Sequence, residues 1–347
     1  MAHGELIMLG AYTTFVVQNV SKLLGGLWPE IYIILAIPIA FLVTALVGLV
    51  LERGVIRYLY GRPLETLLAT WGVSLILQQF IRSVNWLLVI ASAIFCLLYF
   101  GGTWLLRRLE RLNAVATAVT LPLSAGIAIA TGYFLSQTYK LAVTKPWFGT
   151  QGVAVTAPNW LSGGLALEGN LQLPYSRLFI MGLTVLCVMG IYLFLQRSPW
   201  GLRIRAVTQN RNMSACLGIP TQKVDALTFA LGSGLAGIAG VAVSLIGSVS
   251  SNTGQSYIVD TFMVVVVGGV GNLAGSIVGA MAIGIATYLI GSGILAPLFV
   301  FAPPIADFFK FFADTSMAKV MIFILIVVFL QIKPAGLFPE KGRTVDA

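Results

Sequence analysis

Acidic side chains inside or beside the apolar runs are the first candidates for chemistry in this chain. They are few, namely Glu5, which follows the single histidine His3, and then Glu65 and Asp260. A charged group in a bilayer is costly, so each is a functional hypothesis by default. Glu65 and Asp260 also stand where apolar helices are predicted to begin, and an acid there offsets the helix dipole. We favour that structural role for these two and leave Glu5 open.

Uncharged polar side chains within the apolar runs form the second group of candidates. For any one of them, a hydrogen bond between helices is the favoured role. Taken together they offer amide and hydroxyl groups without fixed charge, which suits a small neutral solute better than an ion. The group comprises Thr66, Thr70, Gln78, Gln79, Asn272 and Thr287.

Enzyme and cofactor signatures are missing from the sequence. No GxxxxGK[ST] motif occurs, so hydrolysis of ATP by the P-loop route is excluded, and paired acids at catalytic spacing are lacking. The three cysteines, Cys96, Cys187 and Cys216, have neither metal-ligand spacing nor a disulfide pattern. We predict a protein that is not an enzyme and carries no cofactor or metal of its own.

A polar stretch at residues 197–223, RSPWGLRIRAVTQNRNMSACLGIPTQK, separates two apolar runs. Ser198 before Pro199 and then Asn210 are helix-capping signals, and Gly218 is a stop signal. One or two short helices at the membrane surface are therefore predicted. On charge alone an ordinary basic loop is favoured. Apolar residues interspersed among the arginines instead indicate a surface that docks a protein; they are Leu202, Ile204, Val207, Met213, Ala215 and Leu217.

Composition places the chain in a membrane. It is 58% hydrophobic and only 10% charged over 347 residues, whereas soluble domains carry about 25% charged residues. A span needs about 20 residues. Residues 259–290 are apolar but broken by glycines, which predicts a re-entrant or discontinuous helix pair. The predicted fold class is an all-α polytopic membrane protein with about eight spans, at 6–20, 31–51, 64–81, 86–106, 113–135, 178–195, 226–246 and 318–332.

The positions of Lys and Arg predict the topology. If residues 197–223 face the cytoplasm, 14 of the 21 Lys and Arg residues fall on the cytoplasmic side. This bias favours that orientation and a cytoplasmic C-terminus. The net charge of +9 therefore reflects short turns between spans and does not indicate a nucleic-acid partner. The largest outer loop, residues 136–177, is predicted to be long and irregular.

Four stretches together resemble the membrane subunits of ABC importers for branched-chain amino acids and amides. They are MAHGELIMLGAY, GRPLETLLATWGVSLILQQ, RSPWGLRIRAVTQNRNMSACLGI and SYIVDTFMVVVVGGVGNLAGS. Within that family, ETLLATWG and the last run are most similar to the urea-transport permease of the UrtB type. Family members usually have a further apolar helix before the residues that resemble MAHGE. Residues 86–135 look like an inserted helical hairpin in an otherwise single permease domain of residues 1–347.

The resemblance implies a subunit that pairs with a sister permease, binds two cytoplasmic ABC ATPases and receives substrate from a periplasmic binding protein. It implies a location in the bacterial inner membrane, with ATP bound by the partner subunits. Residues 202–217 match the coupling helix, with ATPase contacts expected at Leu202, Arg203, Arg205, Asn210, Arg211, Met213 and Leu217. Residues expected near the translocation path are His3, Glu5, Thr66, Thr70 and Asn272.

The leading functional hypothesis is an ATP-driven importer permease for urea or a similar small amide. An alternative within the same family is a permease for branched-chain amino acids. A passive urea channel, which needs no ATPase, is a third hypothesis, and the long docking stretch speaks against it. An intramembrane enzyme is disfavoured because catalytic clusters are lacking.

Overall fold

A computed structural model describes most of the chain and divides it into two compact units. The residues described are 2–26, 28–60, 62–84, 91, 94–95, 97–99, 122, 124–134, 152–167, 171–269, 271–294, 314–333 and 336–338. Unit 1 is Met1–Gly254 and unit 2 is Gln255–Ala347, and each is described by itself. The predicted all-α class is confirmed, because long apolar helices make up most of what is described.

Seven α-helices in the described part of unit 1 follow the predicted apolar runs and the polar stretch. Between α2 and α3 the chain makes a short 3-10 turn at Ile56–Leu59. A further apolar helical segment is Ser124–Phe134; the rest of the predicted hairpin at 86–135 lies largely outside the described residues. The helices are α1 Ala2–Leu24, α2 Trp28–Gly54, α3 Pro63–Ser83, α4 Tyr175–Arg197, α5 Pro199–Gln209, α6 Arg211–Cys216 and α7 Thr221–Ile246.

Three helices of unit 1, α1, α2 and α7, pack against one another at glycines. Gly237 of α7 touches Thr44 and the backbone of Ala40 on α2, and it also touches Gly10 of α1. Gly240, one turn further, lies against the backbone of α1. The absence of side chains lets the backbones approach closely, as in membrane helix pairs with small residues at the interface. Gly237 and Gly240 therefore form a close contact of α7 with α1 and α2.

The chain after α7 turns back into unit 1 as an extended segment, residues 247–252. Val249 is fully buried and pairs with Val153 through two backbone hydrogen bonds of 2.7 and 2.8 Å. The Arg82 guanidinium donates to Ser251 and Asn252, each at 2.8 Å. This extended segment was not predicted, since nothing in its sequence is periodic. Its polar backbone groups are accommodated because they are covered by protein.

The loop predicted as irregular contains a small β-hairpin. Strand β1, Gly164–Leu167, pairs antiparallel with β2, Leu171–Pro174. Nearby, the Trp160 indole donates to the backbone carbonyl of Glu30 at 2.8 Å. The prediction of a wholly irregular segment was therefore wrong, because alternating leucines there form a local hairpin.

The helices of unit 2 confirm the predicted break within residues 259–290. Gly269 and Gly271 have φ values of 101° and 97°, a conformation that L side chains rarely adopt. Asn272 then caps the next helix by accepting hydrogen bonds from the backbone amides of Ala274 and Gly275. The helices are α8 Thr253–Gly268, which begins just before the boundary between the units, α9 Leu273–Gly291 and α10 Thr315–Ile332.

Asp260 does not stand at a helix start, so that prediction was wrong. Helix α8 begins at Thr253, seven residues earlier than expected, and Asp260 lies in its middle. Its carboxylate pairs instead with the Lys319 ammonium of α10 at 2.7 Å. An ionic pair between neighbouring helices compensates both charges and holds α8 to α10. The pair lies beside an apolar cluster, formed by Met263, Val267, Ile290, Ala318, Ile322 and Ile326.

Five described helices are long and apolar enough to cross a membrane, namely α2, α3, α4, α7 and α9. Helix α1 has sufficient length at 23 residues, but it carries several polar side chains. Helix α10 is apolar and somewhat shorter. The predicted spans at 86–106 and 113–135 both lie partly outside the described residues. The described part of the chain is therefore that of a multi-pass membrane protein.

Candidate coupling surface and intramembrane polar site

The polar stretch forms two short helices with the caps that the sequence predicts. Ser198 accepts a hydrogen bond from the Trp200 amide at 3.3 Å at the start of α5. Asn210 accepts one from the Met213 amide at 3.0 Å at the start of α6. Gly218, with φ 81°, ends the second helix. Such caps satisfy amides that lack partners in the first turn, so the predicted helix boundaries are confirmed.

Helices α5 and α6 have an inner and an outer face. On the inner face, Ile204 and Val207 are buried against Val224 of α7. Three large apolar side chains of the same segment are exposed, and we term them the exposed apolar patch. They are Leu202, Met213 and Leu217, with 63%, 61% and 76% of their surface exposed. Apolar side chains exposed together on a polar segment are typical of an interaction surface.

The arginines of the stretch differ in what they contact. Arg203 stacks over the Trp200 ring at 4.9 Å, and Arg205 donates to the Gln196 side chain at 3.4 Å. Arg211 turns inward, where its guanidinium pairs with Asp225 of α7 at 2.7 Å and stacks over the Tyr60 ring at 4.6 Å. The structure thus ties Arg211 to the helices of unit 1. Contacts of these arginines with an ATPase remain a prediction.

A cluster of charged residues surrounds Arg211 at one end of α2 and α7. Glu52 of α2 is 1% exposed and lies near Asp225 and three arginines. Arg57 donates to Gln222 of α7. Burial and the carboxylates of Asp225 and Glu52 raise the pKa of Tyr60 to about 12. Tyr60 is therefore a neutral ring, which is the form that stacks on a guanidinium.

Sequence reasoning missed this charged cluster. Glu52 stands in the last turn of an apolar helix and Asp225 in the first turns of another. The sequence did offer one signal for the cluster. Both acids stand at helix ends, and Asp225 closely follows the predicted coupling stretch. Their partners could not be assigned, because sequence separation says nothing about which helix ends meet.

A second polar site lies inside unit 1, around Glu5. Its side chain is 1% exposed, and one carboxylate oxygen accepts hydrogen bonds from Ser74 at 2.8 Å and Gln78 at 2.7 Å. The other oxygen has no hydrogen-bond partner among the described residues and faces Gly254. The expected role of Gln78, a hydrogen bond between helices, is confirmed. Glu5 is therefore a buried carboxylate with one free acceptor.

The other residues predicted near the translocation path each have contacts of their own, and their role in the path remains a prediction. The His3 ring packs edge-on against Phe229 at 5.0 Å. Thr66 and Thr70 donate to backbone carbonyls of Leu59, Arg62 and Leu67, and Asn272 caps α9 in unit 2. The hydroxyls of both threonines are occupied by backbone acceptors here.

A cavity of about 370 Å³ lies between the start of α1, α5 and α7. Its wall is mostly apolar, with the polar groups of a few side chains at its edge. The lining residues are His3, Tyr60, Ile204, Val207, Thr208, Val224, Asp225, Thr228, Phe229 and Gly232. Among the residues described, no three His, Cys, Asp or Glu side chains are arranged to hold a metal ion.

Comparison with known proteins decides the family. A family model described as the permease component of the branched-chain amino acid transport system matches residues 1–330. The chain belongs to this family. As a member it is a permease component of a transport system. No solved structure matches the chain significantly.

Curated relatives of this permease are remote but extend along most of it. The permease protein BraD of Pseudomonas aeruginosa is 25% identical over 82% of the chain and 74% of its own length. LivH of Escherichia coli K12 is 23% identical over 99% of the chain and 86% of its own length. The names of both describe high-affinity branched-chain amino acid transport. A urea-specific assignment is not supported by these relatives.

Replacing Gln78 with leucine should destabilise the permease, because Glu5 would lose a buried donor. A hydrogen bond to a charged group contributes about 1.5–3 kcal/mol. The matched control is Gln79→Leu, since Gln79 is exposed and bonds only Ser83, at 3.5 Å. Thermal unfolding in one detergent measures both variants. Equal midpoints for the two would contradict a stabilising contact between Gln78 and Glu5.

Proposed function

We propose that this chain is the permease subunit of an ATP-driven importer for branched-chain amino acids. The match of the family model to residues 1–330 carries the proposal. The names of BraD and LivH, which align with most of the chain, support the substrate class. The proposal replaces the urea hypothesis as the leading one and keeps urea as the second candidate.

The charge of the polar site supports an amino acid over urea. A zwitterion needs charged partners at membrane depth, whereas urea is satisfied by neutral donors and acceptors. Glu5 offers a buried carboxylate oxygen with no partner among the described residues, which suits an ammonium group. In this proposal Glu5 lies on the path of the substrate. The motif ETLLATWG, which resembles urea permeases, is what favours the second candidate.

Energy for transport would come from ATPase subunits docked on α5 and α6. The exposed apolar patch of Leu202, Met213 and Leu217 supplies the contact area. The remaining partners would be a sister permease, a second ATPase and a periplasmic binding protein. The excess of Lys and Arg on the side of α5 and α6 favours a cytoplasmic position for these helices and for the C-terminus, in a bacterial inner membrane.

Uptake by the assembled complex in proteoliposomes tests the proposal. With the binding protein outside and ATP inside, we expect labelled leucine to accumulate and labelled urea to stay at the level of empty vesicles. Accumulation of urea alone would overturn the amino acid assignment. Entry of either solute without ATP would indicate a passive channel and contradict the importer.

A further inference from the structure

Glu52 is a buried acid that the proposed function leaves without a role. It lies in the last turn of α2, is 1% exposed, and neither of its carboxylate oxygens has a hydrogen-bond partner among the described residues. A buried charge without hydrogen bonds is costly, so such a group in a native structure needs an explanation.

Charged groups act on Glu52 although none among the described residues forms a hydrogen bond with its carboxylate. The positive charges of Arg57, Arg53 and Arg211 attract that carboxylate, while Asp225 repels it. Yet Arg211 pairs with Asp225 at 2.7 Å, and Arg57 bonds to Gln222. Two carboxylates, one on α2 and one on α7, therefore compete for one guanidinium, and only Asp225 holds it in this conformation.

Arg211 is the member of this group that can move with the cytoplasmic segment. It is the first residue of α6, a helix of six residues between the extended Asn210 and the left-handed Gly218. The Tyr60 ring supports its guanidinium from one side at 4.6 Å. Because a guanidinium carries five N–H donors in a fork that matches a carboxylate, Arg211 can pair with either acid, and a shift of α6 would exchange one for the other.

We propose that Glu52 is the second acceptor for Arg211 and receives its guanidinium when α6 moves during the transport cycle. Glu52 is then a positioning residue, acting through Arg211 on the helix to which the coupling segment is tied. Pairing with Asp225 binds α6 to α7, and pairing with Glu52 binds it to α2. The exchange gives the segment two discrete arrangements, which is what transmits movement between sites. This inference rests on the proposed function.

The two roles of Glu52, structural and positioning, predict different transport activities for Glu52→Gln. If the acid is only buried, a neutral amide of the same shape should stabilise the permease or leave it unchanged. If it receives Arg211, the variant should fold normally but keep the guanidinium on Asp225. Leucine-stimulated ATP hydrolysis and leucine uptake would then fall about tenfold, with little change in KM and no change in basal hydrolysis.

Measurement uses the assembled complex in proteoliposomes. Glu52→Asp, which keeps the charge, should recover part of the uptake. Asp225→Asn should leave the Arg211 guanidinium on Glu52 instead. We expect this variant to hydrolyse ATP faster than the wild type in the absence of leucine. The matched control is Glu65→Gln, because Glu65 is an exposed glutamate paired with Arg62; it should behave as wild type.

Each outcome separates this inference from the proposed function. Unaltered coupling in Glu52→Gln, in a complex whose wild type couples uptake to ATP, would overturn the exchange alone. Absence of coupled uptake in the wild type would overturn the proposed function first. If Glu52→Gln fails to assemble while Glu52→Leu assembles and transports, the role is one of packing, and the exchange is likewise overturned.

Discussion

Gly237→Val should yield almost no folded permease. The added side chain would meet the backbone carbonyl of Ala40 and the Thr44 side chain on α2, and Gly10 of α1 lies in the same contact. Thr44 cannot turn away freely, since its hydroxyl is bonded to the Ala40 carbonyl at 2.7 Å. Backbone atoms cannot yield as side-chain ends can. We expect a loss of about 3 kcal/mol, the upper range for overpacked cores, measured as monodisperse yield and thermal midpoint in mild detergent.

The control for this variant is Gly182→Val on α4. Among the described residues, no atom outside the helix lies within contact distance of a side chain added at Gly182, and valine is a slightly better helix former than glycine. The yield and midpoint of this variant should equal those of the wild type. A similar loss in both variants would show that valine itself, and not the contact among three helices, lowers the yield.

Leu217→Asp combined with Met213→Asp should prevent the ATPase from binding while the permease still folds. Both side chains are more than half exposed, so the permease loses little on its own, whereas a docked partner would have to bury two unpaired carboxylates. We expect at least a hundredfold weaker binding of the purified ATPase and no uptake driven by ATP. Pull-down of the ATPase by the tagged permease and titration in detergent measure this.

Two comparison variants test whether the loss of ATPase binding is specific to the exposed apolar patch. Leu217→Met keeps the apolar volume and should bind as the wild type does. Ile204→Asp places a charge on the buried inner face of α5, where Ile204 is packed against α7, and should lower the yield of permease itself. Retained ATPase binding by the double aspartate variant would contradict the assignment of the exposed apolar patch.

Local signals in the sequence determined the helices and their ends. Apolar length predicted α2, α3, α4, α7 and α9, and the glycines predicted the break before α9. Ser198, Asn210 and Gly218 act through bonds and φ angles within a few residues. Such interactions involve residues that are close together in the chain, so they can be predicted from the sequence alone.

Tertiary structure decided which polar groups meet. The sequence offered Glu5 and Gln78 as separate candidates, and only the packing of α1 on α3 makes them a hydrogen-bonded pair. Arg211 was expected to contact an ATPase, and only the packing of α6 on α7 brings its guanidinium to Asp225. These contacts depend on which helices pack together and on how each helix is rotated about its axis. The apolar pattern of a helix is compatible with many such rotations. A side chain's partner is therefore known only once the helices are in place.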